Sequence, residues 1–239
     1  LLSAVGRDVE GDELVGEASR MGLITDYLYR SDDLPTDSYM AIEGGNGLIA
    51  AIADAHSLEQ AGTKILRALS DGTLGSHAAP WDGLVALDGN LTRDLLGEIS
   101  KSPLFAASDL RVAPASPGKA ERLLALVGHP SATLYVNLEE AGLLCQTTFA
   151  TAQIGAEALI ARGVHRCLVT NGGDIAAEAL GTDARTAQPP EVLVTRVTGA
   201  GDTFMAAHIA SEIQGMAPQA ALERALNAAA TYVSGETAS

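Results

Sequence analysis

Short apolar runs that stop at a polar residue recur along this chain, and helical patterns separate them. GLVALDGN (83–90), TLYVN (133–137), RCLVT (166–170) and EVLVTRV (191–197) have the length and β-branched content of buried strands. Between them, Ser116 and Pro117 open a helical pattern that carries Leu123, Leu124 and Val127. FATAQIGAEALIARG (149–163) gives another, closed by Gly163. Such alternation predicts an α/β fold: a mostly parallel central sheet with helices on both faces and ligand sites at the carboxyl ends of its strands. Asp88, Asn137 and Thr170 are the polar residues at those ends. At 239 residues the expectation is a single domain spanning 1–239.

Outside this rhythm, SYMAIEGGNGLIAAIAD (38–54) holds two alternating runs around Gly44, Gly45, Asn46 and Gly47, which predicts a hairpin over about 36–54. Ser57 and Gln60 have capping-box spacing, and Leu58, Ala61, Ile65, Leu66 and Leu69 continue at helical intervals up to Gly72. The opening LLSAV reads as a buried strand that starts without a preceding loop, so the chain is expected to be truncated at its N-terminus.

Charge narrows the partners. With 15 Lys and Arg against 30 Asp and Glu, the formal net charge is −15, which argues against nucleic acid and against an anionic membrane surface. A small molecule is the expected ligand. Cys145 and Cys167 lie in apolar surroundings, as reduced buried thiols do. No run of apolar residues is long enough to span a bilayer, and the start has no basic leader, so a cytoplasmic protein is expected. His56, His77, His129, His165 and His208 are scattered without ligand spacing, which assigns them surface or structural roles.

RVTGAGDTFMAAHIA (196–210) is where chemistry concentrates. A strand-like run, a glycine loop and a helical pattern follow one another, so the amides of Gly199, Ala200 and Gly201 can surround developing negative charge on a phosphoryl group. Asp202 would repel that anion, and its presence makes sense if it accepts the proton of the attacking hydroxyl. The other reading makes Asp202 an acid that favours the helix dipole. Asn137 and Glu140 likewise offer a hard oxygen site for magnesium, or else a strand-end cap and a solvated helix acid.

TGAGD resembles the end of the Asp-Thr-Thr-Gly-Ala-Gly-Asp signature of the PfkB family of carbohydrate and nucleoside kinases, which includes ribokinase. YVNLEEAGLL is similar to that family's Asn-x-x-Glu motif at Asn137 and Glu140, LVTNGGDIA to its Thr-x-Gly turn at Thr170 and Gly172, and ERALNAAATYV to its C-terminal helix, with Asn227 at the matching position. SAVGRDVEGDEL is similar to its Val-Gly-x-Asp-x-x-Gly stretch, so the resemblance runs along essentially the whole chain. It implies a ribokinase-like three-layer α/β/α fold with a small β lid, ATP and Mg2+ as cofactors, Asn137 and Glu140 organising the metal and phosphates, Thr170 and Gly172 along the nucleotide, and Asn227 beside the adenine.

Within the family, the lid hairpin ending at Asp54, the VALDGNL stretch with Asp88 and Asn90, and Pro114, Ser116 and Lys119 are most similar to pseudouridine kinases. That implies transfer of the ATP γ-phosphoryl to the 5′-hydroxyl of pseudouridine, with Asp54, Asp88 and Asn90 on the sugar side; Lys119 otherwise reads as an ordinary helix-surface cation. Kinases of ribose, fructose phosphate or another nucleoside, and a noncatalytic nucleoside-binding protein of the same fold, are the alternatives. Arg196 and Val197 stand where the family signature has its acid and first threonine, which makes a monovalent-cation requirement doubtful, and Ile175 replaces the last glycine of the nucleotide turn. The family's opening strands and their sugar-binding residues have no counterpart before Leu1. The lid implies a homodimer formed edge to edge.

Overall fold

The computed structural model describes residues 1–44 and 47–235. The chain forms two compact units, one of residues 1–42, 49–83 and 90–108, the other of 43–48, 84–89 and 109–239. In the first, β1 (Ala4–Gly6) is buried along its length and pairs in parallel with β2 (Tyr29–Ser31). Helix α1 (Val9–Arg20) starts at Asp8, whose carboxylate accepts the Gly11 amide at 2.8 Å and the Thr36 amide at 2.7 Å. Bonds from the Thr36 hydroxyl and amide hold the Asp8 carboxyl below its ordinary value. These contacts explain the Gly-x-Asp-x-x-Gly spacing: a Cβ at Gly11 would lie 2.4 Å from the Gly6 carbonyl.

β3 (Ser38–Gly44) and β4 (Gly47–Asp54) form the expected hairpin as a separate two-stranded sheet. Its turn residues Gly45 and Asn46 lie outside the described residues. The helix after it departs from the expectation twice. Ser57 does not cap it; the Asp37 carboxylate instead accepts the amides of Ser57 and Leu58 at 2.9 Å each, a long-range cap that local spacing does not reveal. Nor is it one continuous helix: α2 (His56–Ala61) ends at Gly62, whose φ of 53° takes it out of α geometry, and residues 62–69 continue as a 3-10 helix. Helix α3 (Arg93–Lys101) completes this unit under a Thr92 cap.

The second unit carries a six-stranded sheet in the order β10-β9-β8-β7-β6-β5: β5 (Leu84–Asp88), β6 (Asp109–Ala113), β7 (Thr133–Asn137), β8 (Arg166–Asn171), β9 (Asp174–Leu180) and β10 (Asp183–Ala187). β5 to β8 are parallel, and β9 and β10 add antiparallel. Leu123 is buried in a 3-10 stretch, Pro117–Leu126, where the sequence pattern predicts a helix. Helices α4 (Leu138–Cys145) and α5 (Ala152–Ala161) cover one face, where the Cys167 thiol lies against the Ala156 carbonyl. Strand alternation turns Tyr135 and Leu168 to the other face, against Phe204 and Met205 of α6 (Ala200–Ile213) and Leu222 and Ala225 of α7 (Pro218–Ser234). EVLVTRV does not join the sheet. Pro189 and Pro190 before it have no amides to donate to a ladder, and the Thr195 and Arg196 amides go to the Val233 carbonyl at 2.8 and 3.3 Å, satisfying the C-terminus of α7.

Beneath α6 the sheet is charged. Arg111 of β6 donates to both Asp109 carboxylate oxygens at 2.7 Å, to the Tyr135 hydroxyl at 3.0 Å and to Glu212. Arg166 of β8 bridges Glu178, which is fully buried, and Glu212 at 2.7 Å. The Tyr135 hydroxyl already accepts from Arg111, so its proton goes to His208 Nδ1 at 2.9 Å. Burial lowers the His208 imidazole to about 4 and pushes Tyr135 up to about 12. His208 is therefore neutral in the fold, while an unfolded chain binds its proton near pH 6.5. Stability should fall as pH drops from about 6.5 to about 4.5, by about 2–3 kcal/mol from this group. Urea unfolding at both pH values checks this: His208→Asn, which keeps an acceptor for Tyr135, should show a shallower loss than the natural chain, and equal losses would refute the assignment.

Candidate active site

Asp202 sits in the first turn of α6, and the loop before it explains how it comes to be free. Gly199, the N-cap, adopts φ 90°, a left-handed geometry that side chains resist. A Cβ there would also lie 2.6 Å from the Tyr232 hydroxyl, which itself donates to the Thr198 carbonyl at 2.9 Å. The first turn is tied by Thr203, whose amide and hydroxyl both donate to the Gly199 carbonyl, at 2.9 and 2.8 Å. Among the described residues no side chain caps the helix. Among the described residues the amides of Gly199, Gly201 and Asp202 have no acceptor, and the exposed Asp202 carboxylate has no partner. Ala200 is different: its amide is occupied by the Val197 carbonyl at 3.1 Å. Of the expected Gly199, Ala200 and Gly201 amides, those of Gly199 and Gly201 are open to an anion, as is that of Asp202, and that of Ala200 is engaged. A Cβ on Gly201 would meet nothing within 4 Å, so this part of the turn faces open space.

The direction of α6 follows from its other end. Glu212 is bound by Arg166, the first residue of β8, and by Arg111, which also grips Asp109, the first residue of β6. The C-terminus of α6 therefore lies at the amino ends of the parallel strands, and its N-terminus points to their carboxyl edge. Asn137 and Thr170 are register partners on that edge, and Asp88 ends β5 on the same edge.

Asn137 and Glu140 form a reciprocal capping box: the Asn137 side chain accepts the Glu140 amide and the Glu140 carboxylate accepts the Asn137 amide, both at 2.8 Å. Asn137 is thus the strand-end cap, but Glu140 is not a solvated acid. It is buried, and burial raises its carboxyl above the ordinary value. Each side chain keeps further oxygen lone pairs. No cluster of three or more His, Cys, Asp or Glu side chains able to hold a metal occurs among the described residues. This donor set fits magnesium carried largely by nucleotide phosphates and water, and does not fit a dedicated protein cage.

Thr170 and Gly172 lie at the β8–β9 hairpin, where Asn171 and Asp174 pair across Gly172 and Gly173. Gln188 fastens this turn by donating to the Gly173 carbonyl at 2.7 Å. Asn227 is exposed on α7 and donates to the Glu223 carbonyl of its own helix at 2.8 Å. In the first unit, Asp54 and Asn90 line one groove of about 530 Å³ together with Asp37, Tyr39 and Leu58. His56 donates to Asp54 through its ring at 2.9 Å and lowers the Asp54 carboxyl. Tyr232 is not legible in the sequence as a site residue, because it meets Gly199 from 33 positions away with no local pattern linking them.

The pfkB family carbohydrate kinase pattern matches residues 1–239. Among curated proteins there is no significant match. A solved carbohydrate kinase from Agrobacterium tumefaciens is similar at 28% identity and a TM-score of 0.76, over 95% of this chain and 71% of that one. A ribokinase from Thermotoga maritima aligns with a TM-score of 0.76 at 19% identity, over 97% of this chain and 73% of that one. An adenosine kinase from Schistosoma mansoni in complex with 2-fluoroadenosine aligns at 0.73 and 16%, over 97% and 72%. The two more distant structures bear on the fold alone, which is ribokinase-like. Matched over its whole length, the chain belongs to the pfkB family of carbohydrate kinases and is an ATP-dependent phosphotransferase.

Proposed function

We propose that this chain transfers the γ-phosphoryl group of ATP to the 5′-hydroxyl of pseudouridine, with Asp202 as the proton acceptor. The observation that carries the chemistry is a carboxylate and three amides, all without partners among the described residues, at the carboxyl edge of the parallel strands. The acceptor oxygen bonds to the γ-phosphorus, the bond from that phosphorus to the β–γ bridging oxygen breaks, ADP leaves, and the hydroxyl proton passes to Asp202. In a loose transition state the hydroxyl becomes acidic late, so a carboxylate suffices as the base. The amides of Gly199, Gly201 and Asp202 stabilise charge on the transferring group without reorganising.

Asn137 and Glu140 are the residues assigned to magnesium, which when bound neutralises phosphate charge. Thr170 and Gly172 are assigned to the nucleotide phosphates and Asn227 to the base. Asp54, Asp88 and Asn90 are assigned to the acceptor sugar. The choice of pseudouridine rests on the similarity of the hairpin and of the VALDGNL stretch to pseudouridine kinases; a kinase of another nucleoside or of ribose shares every phosphoryl-handling residue.

Arg196 is the charge assigned to the place of a monovalent cation. Its Nε donates to the Tyr232 carbonyl at 2.7 Å, and its guanidinium lies 3.8 Å over the Tyr232 ring. The hairpin is assigned to pairing of two copies: Tyr39, Met40, Ile42 and Ile52 are exposed on it, and a two-stranded sheet has little stability alone.

Three measurements test these assignments. Asp202→Asn should lower kcat about 10²–10⁴-fold with pseudouridine while the Kd for ATP stays within about twofold; unchanged kcat would remove Asp202 from the role, and turnover with ribose or fructose 6-phosphate but not pseudouridine would reassign the acceptor. Exchanging potassium for sodium at constant ionic strength should leave turnover within about twofold, and a strict potassium requirement would show that Arg196 does not replace the ion. Light scattering should give twice the chain mass, and Ile52→Lys should return it to that of one chain.

A further inference from the structure

α6 has an unusual buried face. Of its four buried residues, Phe204 and Met205 are apolar while His208 and Ser211 are polar, and Glu212 reaches under the helix from its last turn. The polar side chains bonded to this helix come one from each of three consecutive strands, Arg111 from β6, Tyr135 from β7 and Arg166 from β8, and Glu178 of β9 backs Arg166. Arg185 of β10 extends the set by an ion pair to Glu178 at 3.0 Å. His208 Nε2 is buried with no hydrogen-bond partner among the described residues.

This is a costly way to hold a helix if stability is the only purpose. Replacing buried ion pairs with well-packed apolar side chains is often neutral or stabilising, and an orphaned polar atom forfeits its hydration with nothing in return. Charged hydrogen bonds supply what apolar packing of alanine-rich surfaces does not, a defined direction. About 10° of rotation moves an atom at a helix's outer radius of about 5–6 Å by about 1 Å, and a misplacement of about 1 Å costs about a hundredfold in rate.

We infer that Glu212, Tyr135 and His208 are positioning residues: with Arg111 and Arg166 they fix the rotation and axial register of α6, and so place Asp202 and the amides of Gly199 and Gly201, about 15 Å away along a stiff helix. The inference rests on the assignment of Asp202 made above. Glu212 receives both arginines and is the hub, and Tyr135 joins Arg111 to His208.

The test uses the full chain and two variants, Glu212→Gln, which removes the hub charge, and Tyr135→Phe, which removes one oxygen and keeps folding attainable. Amide hydrogen exchange should speed up about tenfold or more at Thr203–Ala207, where the four-residue hydrogen-bond ladder of α6 begins, while β7 and β8 change less than about twofold. In parallel, kcat should fall about 10- to 100-fold with KM for ATP within about twofold. Exchange that rises evenly across the sheet, with kcat following the folded fraction, would reduce the lattice to a stability element and overturn the inference. Unchanged exchange in α6 with intact turnover would overturn it as well. Selective loosening of α6 in a chain whose unsubstituted form transfers no phosphoryl group would keep the clamp and overturn the catalytic assignment instead.

Discussion

Arg111 and Arg166 grip Glu212 from two strands of one sheet, and the placement of α6 follows from that grip. A buried and a largely buried guanidinium in a protein with a formal net charge of −15 need carboxylates close by, and Asp109, Glu178 and Glu212 supply them. Burial alone would discharge a carboxylate, yet hydrogen bonds from Arg166 and Arg111 outweigh it and hold Glu212 below its ordinary value. The arginines are held firmly charged in return. Removing one partner would strand an uncompensated charge, which is why the set stays together.

Fixing the helix from its C-terminal half leaves its N-terminus without structural duties. Among the described residues no side chain caps it, and the left-handed turn that opens it is set by Gly199 and the Tyr232 hydroxyl rather than by an acidic or hydroxyl cap. α4 shows the opposite arrangement at the same edge, where the capping box of Asn137 and Glu140 satisfies two amides. In α4 the capping side chains satisfy the first amides and keep oxygen lone pairs, whereas α6 keeps its amide donors and its partial positive charge.

The parallel sheet, its strand ends and the TGAGD turn are legible in the sequence because each rests on local pattern: β-branched runs, glycine positions and capping spacing. What escapes such reading rests on partners far away along the chain. Ser57 has the spacing of a cap, but Asp37 does the capping. EVLVTRV has the composition of a strand, but its amides at 195 and 196 close α7, a choice made by tertiary geometry after two prolines. Glu140 has the pattern of a surface acid because nothing in its neighbours announces burial. His208 fits a structural role in sequence, yet its bond to Tyr135, 73 residues away, has no local signature.

Arg196 shows how a departure from a familiar signature can be read physically. The carbonyls at the end of α7 carry the negative pole of that helix, and the loop before Asp202 runs directly over them. An acid at position 196 would add repulsion there unless a cation screened it. A guanidinium needs no such help: it donates to the Tyr232 carbonyl, stacks on the Tyr232 ring, and leaves the same ring's hydroxyl to hold the Thr198 carbonyl. Loop and helix are joined by one cation built into the chain, and Gly199 is the residue that must stay small for them to meet.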